Sequence, residues 1–231
     1  MRLGSAARTR NPSPMLPSPI MTILNVVELD IGRHLGIDQR IPIGAAILTA
    51  ELRGTAVDFT IDSCILRPTD MAETLFAWLG QHVIREGATI TGYRLKAAIT
   101  SLASLPGGDD APALRAMTAC HRQYLLDLSA TSAGRPVSFR EACEQTGVAC
   151  SPAKPEQIFG AWVRYDVASI EEHAQADAIA TFRLLLRRLA SINQVGRSIA
   201  DALGNHLRVW LDQRDDPAAK AHVDDVLSSA G

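Results

Sequence analysis

Two hydrophobic patterns follow one another along the chain, the first typical of β-strands and the second typical of amphipathic helices. Residues 22–29 form a β-branched apolar run, which predicts a central strand covered on both faces. Residues 41–52 and 56–65 predict two further strands, and residues 53–55 between them predict a tight turn. Short connections between consecutive strands predict an antiparallel meander at the start of the fold.

The middle of the chain alternates short helical and extended patterns. Pro68 and the two residues that follow it predict the start of a helix, with Thr69 or Asp70 as the N-cap. Further segments are predicted from apolar runs bounded by Gly, Pro or Ser: a strand over 88–93, a helix over 95–105, a loop over 107–112, a short extended segment over 124–128, a helix over 138–146 that is capped by Ser138, and a loop over 151–156.

The C-terminal third of the chain is predicted to be helical. Residues 169–192 have Ser169 as a predicted cap, acids in the first turn and apolar residues at helical spacing. Residues 199–211 predict another amphipathic helix, and the residues after Asp216 predict either a short helix or a frayed tail. Strands first, then mixed elements, then helices favour one α/β core with a C-terminal helical extension.

The composition is that of a globular protein without a large basic surface. The 231 residues are 47% hydrophobic and carry a formal net charge of −2, so a contact with nucleic acid is expected to be local. No apolar stretch approaches the length of a membrane span. The four cysteines lack zinc-site spacing, which favours reduced thiols in a cytoplasmic protein. Cys143 and Cys150 could lie near each other, but a sequence cannot show a bridge between them.

The N-terminal segment differs in composition from the rest of the chain. Residues 1–20 are rich in Arg, Ser and Pro and lack the apolar centre of a secretory signal, so we expect a disordered tail. Four prolines would break the amphipathic helix of a transit peptide, and Met21 is an alternative natural start to Met1. The expected organisation is a tail over 1–20, a core domain over 21–192 and a helical extension over 193–231.

The second half of the chain carries an ordered series of short motifs. These are D-L at 127–128, S-F-R-E-A-C at 138–143, G-V at 147–148, Lys154, G-A-W-V at 160–163 and I-E-E-H-A-Q-A-D-A-I-A-T at 170–181. In this order they resemble the predicted 3′–5′ exonucleases related to the proofreading domain of family B DNA polymerases, within the DEDD superfamily. The similarity extends over residues 22–190. It implies an α/β fold with an RNase H-like mixed sheet flanked by helices.

The resemblance also implies a chemistry, in which two divalent ions, Mg²⁺ or Mn²⁺, are held by acids. The third motif of the family is matched by His173 and Asp177, which share one helix face at positions i and i+4. By the resemblance Asp177 binds metal, and His173, in place of the family's Tyr, accepts the proton of the attacking water. From periodicity alone, the same residues would form a solvated helix surface.

The first motif of the family, D-x-E, is matched in reversed order by Glu28 and Asp30. Alternate residues of a strand point to one face, so both carboxylates could bind metal together with Asp177. The reversed order displaces each carboxylate by about one C–C bond, which disturbs a pair of ions held about 3.5–4 Å apart. The alternative is that Glu28 and Asp30 face water at a strand end.

The second motif has lost its acid. The family has an Asn and then a metal-binding Asp after a strand, but no acid lies between residues 88 and 105. Arg94 and Lys96 occupy this segment, where they would repel cations and either attract phosphate or pair with the remaining acids. Asp127, at a predicted strand end, either stands in for the missing acid or is a capping or loop residue.

Three functions remain open. The first is a catalytically impaired exonuclease-like protein that binds nucleic acid, as single-stranded DNA or RNA, or a nucleotide, with Arg94, Lys96 and Lys154 as phosphate contacts and Trp162 as either a stacking surface or a core residue. The second is an active, divergent 3′–5′ exonuclease on single-stranded DNA that uses the metal-binding acids above with His173 as base. The third is a scaffold that dimerises or binds a protein partner through the C-terminal helices, residues 199–211.

Overall fold

A computed structural model describes residues 19–32, 39–85, 87–119, 124–129, 131–132 and 135–228. The expected N-terminal tail lies outside the described residues, except for Pro19, which precedes the first strand, and Ile20, which begins it. In these ranges, no helix is long and apolar enough to cross a membrane.

Five strands form one mixed sheet: β1 (Ile20–Asp30), β2 (Arg40–Arg53), β3 (Ala56–Ile65), β4 (Ala88–Gly92) and β5 (Tyr124–Asp127). Their spatial order is β3-β2-β1-β4-β5. β2 is antiparallel to β1 and β3, whereas β4 and β5 run parallel to β1. The predicted meander is confirmed, and the sheet is consistent with the predicted RNase H-like arrangement. A small hairpin of β6 (Thr131–Ser132) and β7 (Arg135–Pro136) follows β5.

Helices cover both faces of the sheet. They are α1 (Ala72–Val83), α2 (Leu95–Ala103), α3 (Pro112–Thr118), α4 (Phe139–Thr146), α5 (Pro155–Val163), α6 (Val167–Ile192), α7 (Gln194–Asp212) and α8 (Pro217–Ser228), with a 3₁₀ turn at Gly108–Asp110. The first three pack on one face, and the last five share the apolar cluster on the other face.

The central strands supply apolar side chains to both layers in alternation, because successive side chains of a strand point to opposite faces. Ile23 of β1 and Leu48 of β2 are buried beneath α6, whereas Leu24 and Ile47 are buried beneath α1 and α2. This explains why β1 and β2 have continuous apolar runs, as the sequence predicted for strands covered on both faces.

Two predicted helix caps are wrong. In the first helix the predicted cap forms a different hydrogen bond, and in the second an earlier Asp is the cap. α1 has Met71 at the N-cap position, and the carboxylate of Asp70 accepts a bond of 2.9 Å from the N–H of Arg67. α6 begins two residues before Ser169, because the Asp166 side chain caps it by accepting the Ser169 N–H over 3.3 Å.

Two short helices occupy segments in which no helix was predicted. α3 and α5 each begin with a proline at the first helical position, Pro112 and Pro155, where the missing N–H costs no intrahelical bond. Both prolines were interpreted as loop residues. By contrast, the predicted cap of α4 is confirmed, since Ser138 and Glu141 form a reciprocal capping box.

The C-terminal helices are a layer of the main core. Leu207 and Leu211 of α7, with Ala218 and Ala219 of α8, are buried in the same cluster as the sheet residues beneath α6. Fully buried His222 of α8 donates from Nε2 to a carbonyl of α6 over 2.9 Å. The apolar face of α7 therefore packs within the chain, and association through this helix stays a prediction.

Candidate functional site

The carboxyl ends of the parallel strands β1, β4 and β5 meet at one edge of the sheet. β4 pairs with β1 as far as Thr91 beside Ile23, and with β5 as far as Gly92 beside Asp127. The backbones are so close that a Cβ on Gly92 would lie 2.6 Å from the carbonyl oxygen of Leu24. Leu24, Gly92 and Asp127 therefore mark one level of this edge, which is the usual place for sites on parallel sheets.

Glu28 and Asp30 lie beyond this level. Glu28 is four residues past Leu24, roughly 13 Å along a strand at about 3.3 Å per residue. Its carboxylate lies 3.8 Å from the guanidinium of Arg40 on β2. Leu29, between the two acids, is buried in the α6 layer. By strand alternation both carboxylates therefore point to the face opposite α6, and the structure does not bring them together with the third motif.

The β1 positions that face α6 at the level of the β4 end are occupied by Asn25 and Val27. Asn25 Nδ2 donates to the carbonyl of Ala174 on α6 over 3.1 Å, and Val27 packs into the cluster beneath that helix. Asn25 is missing from the predicted site because the segment was interpreted as an apolar run. The sequence did contain an indication of its position: Asn25 is two residues from both Ile23 and Val27, so all three side chains lie on one face of the strand.

The third motif lies on α6 as predicted, but its acid is engaged by a backbone amide. Asp177 Oδ1 accepts the N–H of Ser151 over 2.8 Å. Burial raises the pKa of Asp177, the nearby Cys150 thiol adds to the effect, and the Ser151 amide and the Arg140 guanidinium oppose it, with a resulting pKa of about 7. The carboxyl group is therefore only partly ionised at neutral pH. His173 is half-buried one turn earlier on the same helix.

These residues do not fit a pair of divalent ions. Two bridged ions need several ionised carboxylates within reach of one another. On the α6 side of this edge the positions hold an amide, an alkyl group and Asp177. Within the described ranges there is no group of three or more His, Cys, Asp or Glu side chains that could hold a metal ion.

Asp127 caps helix α2. Its carboxylate accepts the N–H of Ser129 over 2.8 Å and the N–H of Lys96 over 3.4 Å. Although burial alone would raise the pKa of Asp127, hydrogen bonds from the Ser129 amide and hydroxyl and from the first amides of α2 lower it. Arg188 of α6 donates to its main-chain carbonyl over 3.1 Å. Of the two roles considered for this residue, the structure shows the capping role.

Removal of the Asp127 carboxylate is expected to destabilise the protein. Asp127→Ala leaves the first amides of α2 without their acceptor and should lower the free energy of unfolding by about 1–2 kcal/mol at pH 7. Because the pKa is depressed in the folded state, this contribution is present above the unfolded pKa and is lost as the pH falls through the folded pKa. Urea unfolding at pH 7 and pH 3 measures both effects. Asp127→Asn is the matched control, which keeps an acceptor and should lose less; equal losses would contradict a capping role.

Exposed cations border the same edge. We call Arg94, Lys96, Arg140 and Lys154 the cationic rim; all four side chains are exposed. Arg94 follows β4 in the left-handed conformation, at φ 53°, and is the N-cap residue of α2. No member of the rim forms an ion pair in the part of the chain that the structure describes. The predicted pairing of Arg94 or Lys96 with the motif acids is accordingly not found there.

Hydrogen bonds join the segments that carry the cationic rim. The hydroxyl of Tyr93, next to Arg94, donates to the carbonyl of Val137 over 2.7 Å, just before α4. Arg140 of α4 donates to the carbonyls of Ser151 and Ala153 over 3.0 Å, just before Lys154. The segments that carry the four cations are therefore held side by side.

Trp162 packs at the edge of the hydrophobic core. Its indole Nε1 donates to the carbonyl of Leu66 over 2.7 Å, and the half-buried ring packs against the cluster beneath α6. Of the two roles considered for this ring, the structure shows the packing role.

Cys143 and Cys150 lie beside the third motif as free thiols. The two side chains are hydrogen-bonded to each other, which lowers the pKa of Cys150 and raises the pKa of buried Cys143. Both thiols lie near Asp177: Cys150 contributes to the raised pKa of Asp177, and the charge of Asp177 contributes to the raised pKa of Cys143.

No protein-family model matches this sequence, and no curated protein matches it. The exonuclease resemblance therefore remains a prediction that rests on the motifs of residues 127–181.

Proposed function

We propose that this protein is a catalytically impaired, exonuclease-like RNase H-fold protein that binds single-stranded nucleic acid without degrading it. The observation that carries the proposal is the cationic rim, whose exposed side chains form no ion pair among the described residues. A cytoplasmic location with reduced thiols is part of the proposal, as is nucleic acid as the partner.

Three of the acids considered for the site support impaired catalysis because each of the three has another role. Glu28 lies near Arg40, Asp127 caps α2, and Asp177 accepts a backbone amide and is only partly ionised at neutral pH. Metal-dependent phosphodiester hydrolysis needs ionised acids that converge on the metal ions. Of the side chains toward α6, Asn25 and Asp177 instead form hydrogen bonds within the protein.

The cations of the rim support binding because phosphate contacts supply most of the non-specific affinity of proteins for nucleic acid. The net charge of −2 requires such contacts to be local, and the rim gathers its cations at the carboxyl edge of the sheet. A strand that follows this edge would meet Arg94 and Lys96 at the start of α2 and Lys154 at the start of α5.

Charge reversal at the rim is expected to abolish most of this binding. Arg94→Glu with Lys96→Glu should weaken the affinity for a fluorescently labelled single-stranded oligonucleotide at least tenfold, on the order of 1.4 kcal/mol or more, since two phosphate contacts become repulsive. Fluorescence anisotropy at several salt concentrations measures the affinity and its salt dependence, with DNA and RNA oligonucleotides in parallel. Arg197→Glu with Arg208→Glu, exposed cations of α7, is the matched control and should bind as wild type does.

A nuclease assay separates the proposal from an active exonuclease. Purified protein with Mn²⁺ or Mg²⁺ should leave 3′-labelled single-stranded DNA intact. Degradation that disappears in Asp177→Ala would overturn impaired catalysis and restore the two-metal interpretation. Equal affinity of wild type and the rim double variant would refute the binding surface.

A further inference from the structure

Cys143 and Cys150 are brought together by the end of helix α4. The helix stops at Gly147, which adopts the left-handed conformation at φ 63°. The chain then turns back, and the N–H of Val148 donates to the carbonyl of Cys143 over 2.9 Å. This turn places the Cys150 thiol against the Cys143 thiol, with a hydrogen bond between them.

The two thiols differ in their exposure to solvent, and the charge of the Arg140 guanidinium acts on both. Cys143 is fully buried, whereas Cys150 is half-buried. Arg140, one turn before Cys143, holds the segment after Cys150 through bonds of 3.0 Å to the carbonyls of Ser151 and Ala153. Its positive charge favours a thiolate, and thiolates are the form that peroxides attack.

We infer that Cys143 and Cys150 form a dithiol site that a peroxide converts into a reversible intramolecular disulfide. The Cys150 thiolate attacks one peroxide oxygen, so an S–O bond forms, the O–O bond breaks, and water or an alcohol leaves after protonation. The Cys143 sulfur then displaces the oxygen of the sulfenic acid as water, and the S–S bond forms. In balance, two thiols lose two protons and two electrons, and the peroxide takes them up. The nucleic-acid binding proposed above uses neither thiol.

Cys64 provides an internal comparison. It lies on β3 and packs against the cluster on the other face of the sheet. Burial, with the nearby acids Glu171, Asp62 and Asp70, raises its pKa to about 11. Within the described ranges it therefore lacks both a cysteine partner and a thiolate, so it should stay reduced under mild treatment.

The test counts thiols in the full-length protein, which has four cysteines. Reduced protein is treated with hydrogen peroxide, quenched and alkylated after denaturation. We expect the alkylated thiols to fall from four to two. Both bridged cysteines lie between Arg140 and Arg164, so one tryptic peptide should carry the loop, lighter by two hydrogens than its reduced form and restored by dithiothreitol. This measurement needs no variant.

Two variants sharpen the result. Cys150→Ser should retain all three remaining thiols in the same assay, and Cys64→Ser, the control, should still lose two of its three. Retention of all four thiols in wild type, a bridge to Cys64 or Cys120, or sulfinic acid at Cys150 without a bridge would each overturn the inference.

Discussion

Replacement of Phe182 by alanine is expected to lower the free energy of unfolding by about 3–5 kcal/mol, the range for truncation of a fully buried aromatic side chain. Phe182 is completely buried on α6 and packs edge-on against Phe59 of β3, with ring centroids 5.5 Å apart. Phe59 in turn contacts Trp210 of α7 at 5.6 Å. The variant therefore leaves a cavity where the sheet, the long helix and the C-terminal layer meet.

Urea or thermal unfolding followed by circular dichroism measures this loss. Ile192→Ala is the matched control, because Ile192 ends the same helix with 64% of its surface exposed. The control should change stability by less than about 0.5 kcal/mol. A similar small effect for Phe182→Ala would mean that α6 does not pack on the sheet as described.

Asp177→Asn is expected to stabilise the protein at alkaline pH. Burial raises the pKa of Asp177 from 3.8 to about 7, so the folded state holds its proton more tightly than the unfolded state does. For a raised carboxyl pKa the sign is opposite to the usual one: stability is greatest below the unfolded pKa and declines as the pH rises through the folded pKa. Asn stays neutral and keeps an oxygen for the N–H of Ser151.

The gain at pH 8 should be roughly 2 kcal/mol. The difference between the unfolded and folded pKa values of Asp177 corresponds to about 4 kcal/mol. Because this side chain is partly exposed, screening by solvent reduces the free energy that is actually gained. Unfolding experiments from pH 4 to pH 8 should show a flatter pH profile for the variant than for wild type. Glu172→Gln, an exposed change on the same helix, is the control. Loss of stability in Asp177→Asn at pH 8 would contradict this prediction and favour a role that needs the negative charge.

The fold was largely predictable because its main signals are local. The apolar runs of β1 and β2, the turn between β2 and β3, and the periodicity of α6 each follow from side-chain alternation or helical spacing. The first residues of the helices were not predictable, because they depend on which nearby side chain accepts a hydrogen bond from the free N–H groups at the helix start. In α6 the side chain of Asp166 accepts the N–H of Ser169, so Asp166 is the cap and Ser169 lies inside the helix.

The site was predictable only where one element supplies it. His173 and Asp177 follow from the spacing on α6, whereas their surroundings come from the loop before α5 and from β1. An E-x-D pattern in the sequence does not say at which level or on which face the acids lie, and the strand pairings place Glu28 past the end of β4. The partner of Ala174 proved to be Asn25, an amide within an apolar run.

The position of α6 in the chain has a consequence for protein synthesis. The β1–β3 meander is complete at Ile65, but the helix that covers one of its faces begins only at Val167. At roughly 5–20 residues per second, a ribosome needs about 5–20 s to make the intervening segment. During that time one apolar face of the nascent meander stays uncovered, so the final packing of the sheet waits until α6 has been made.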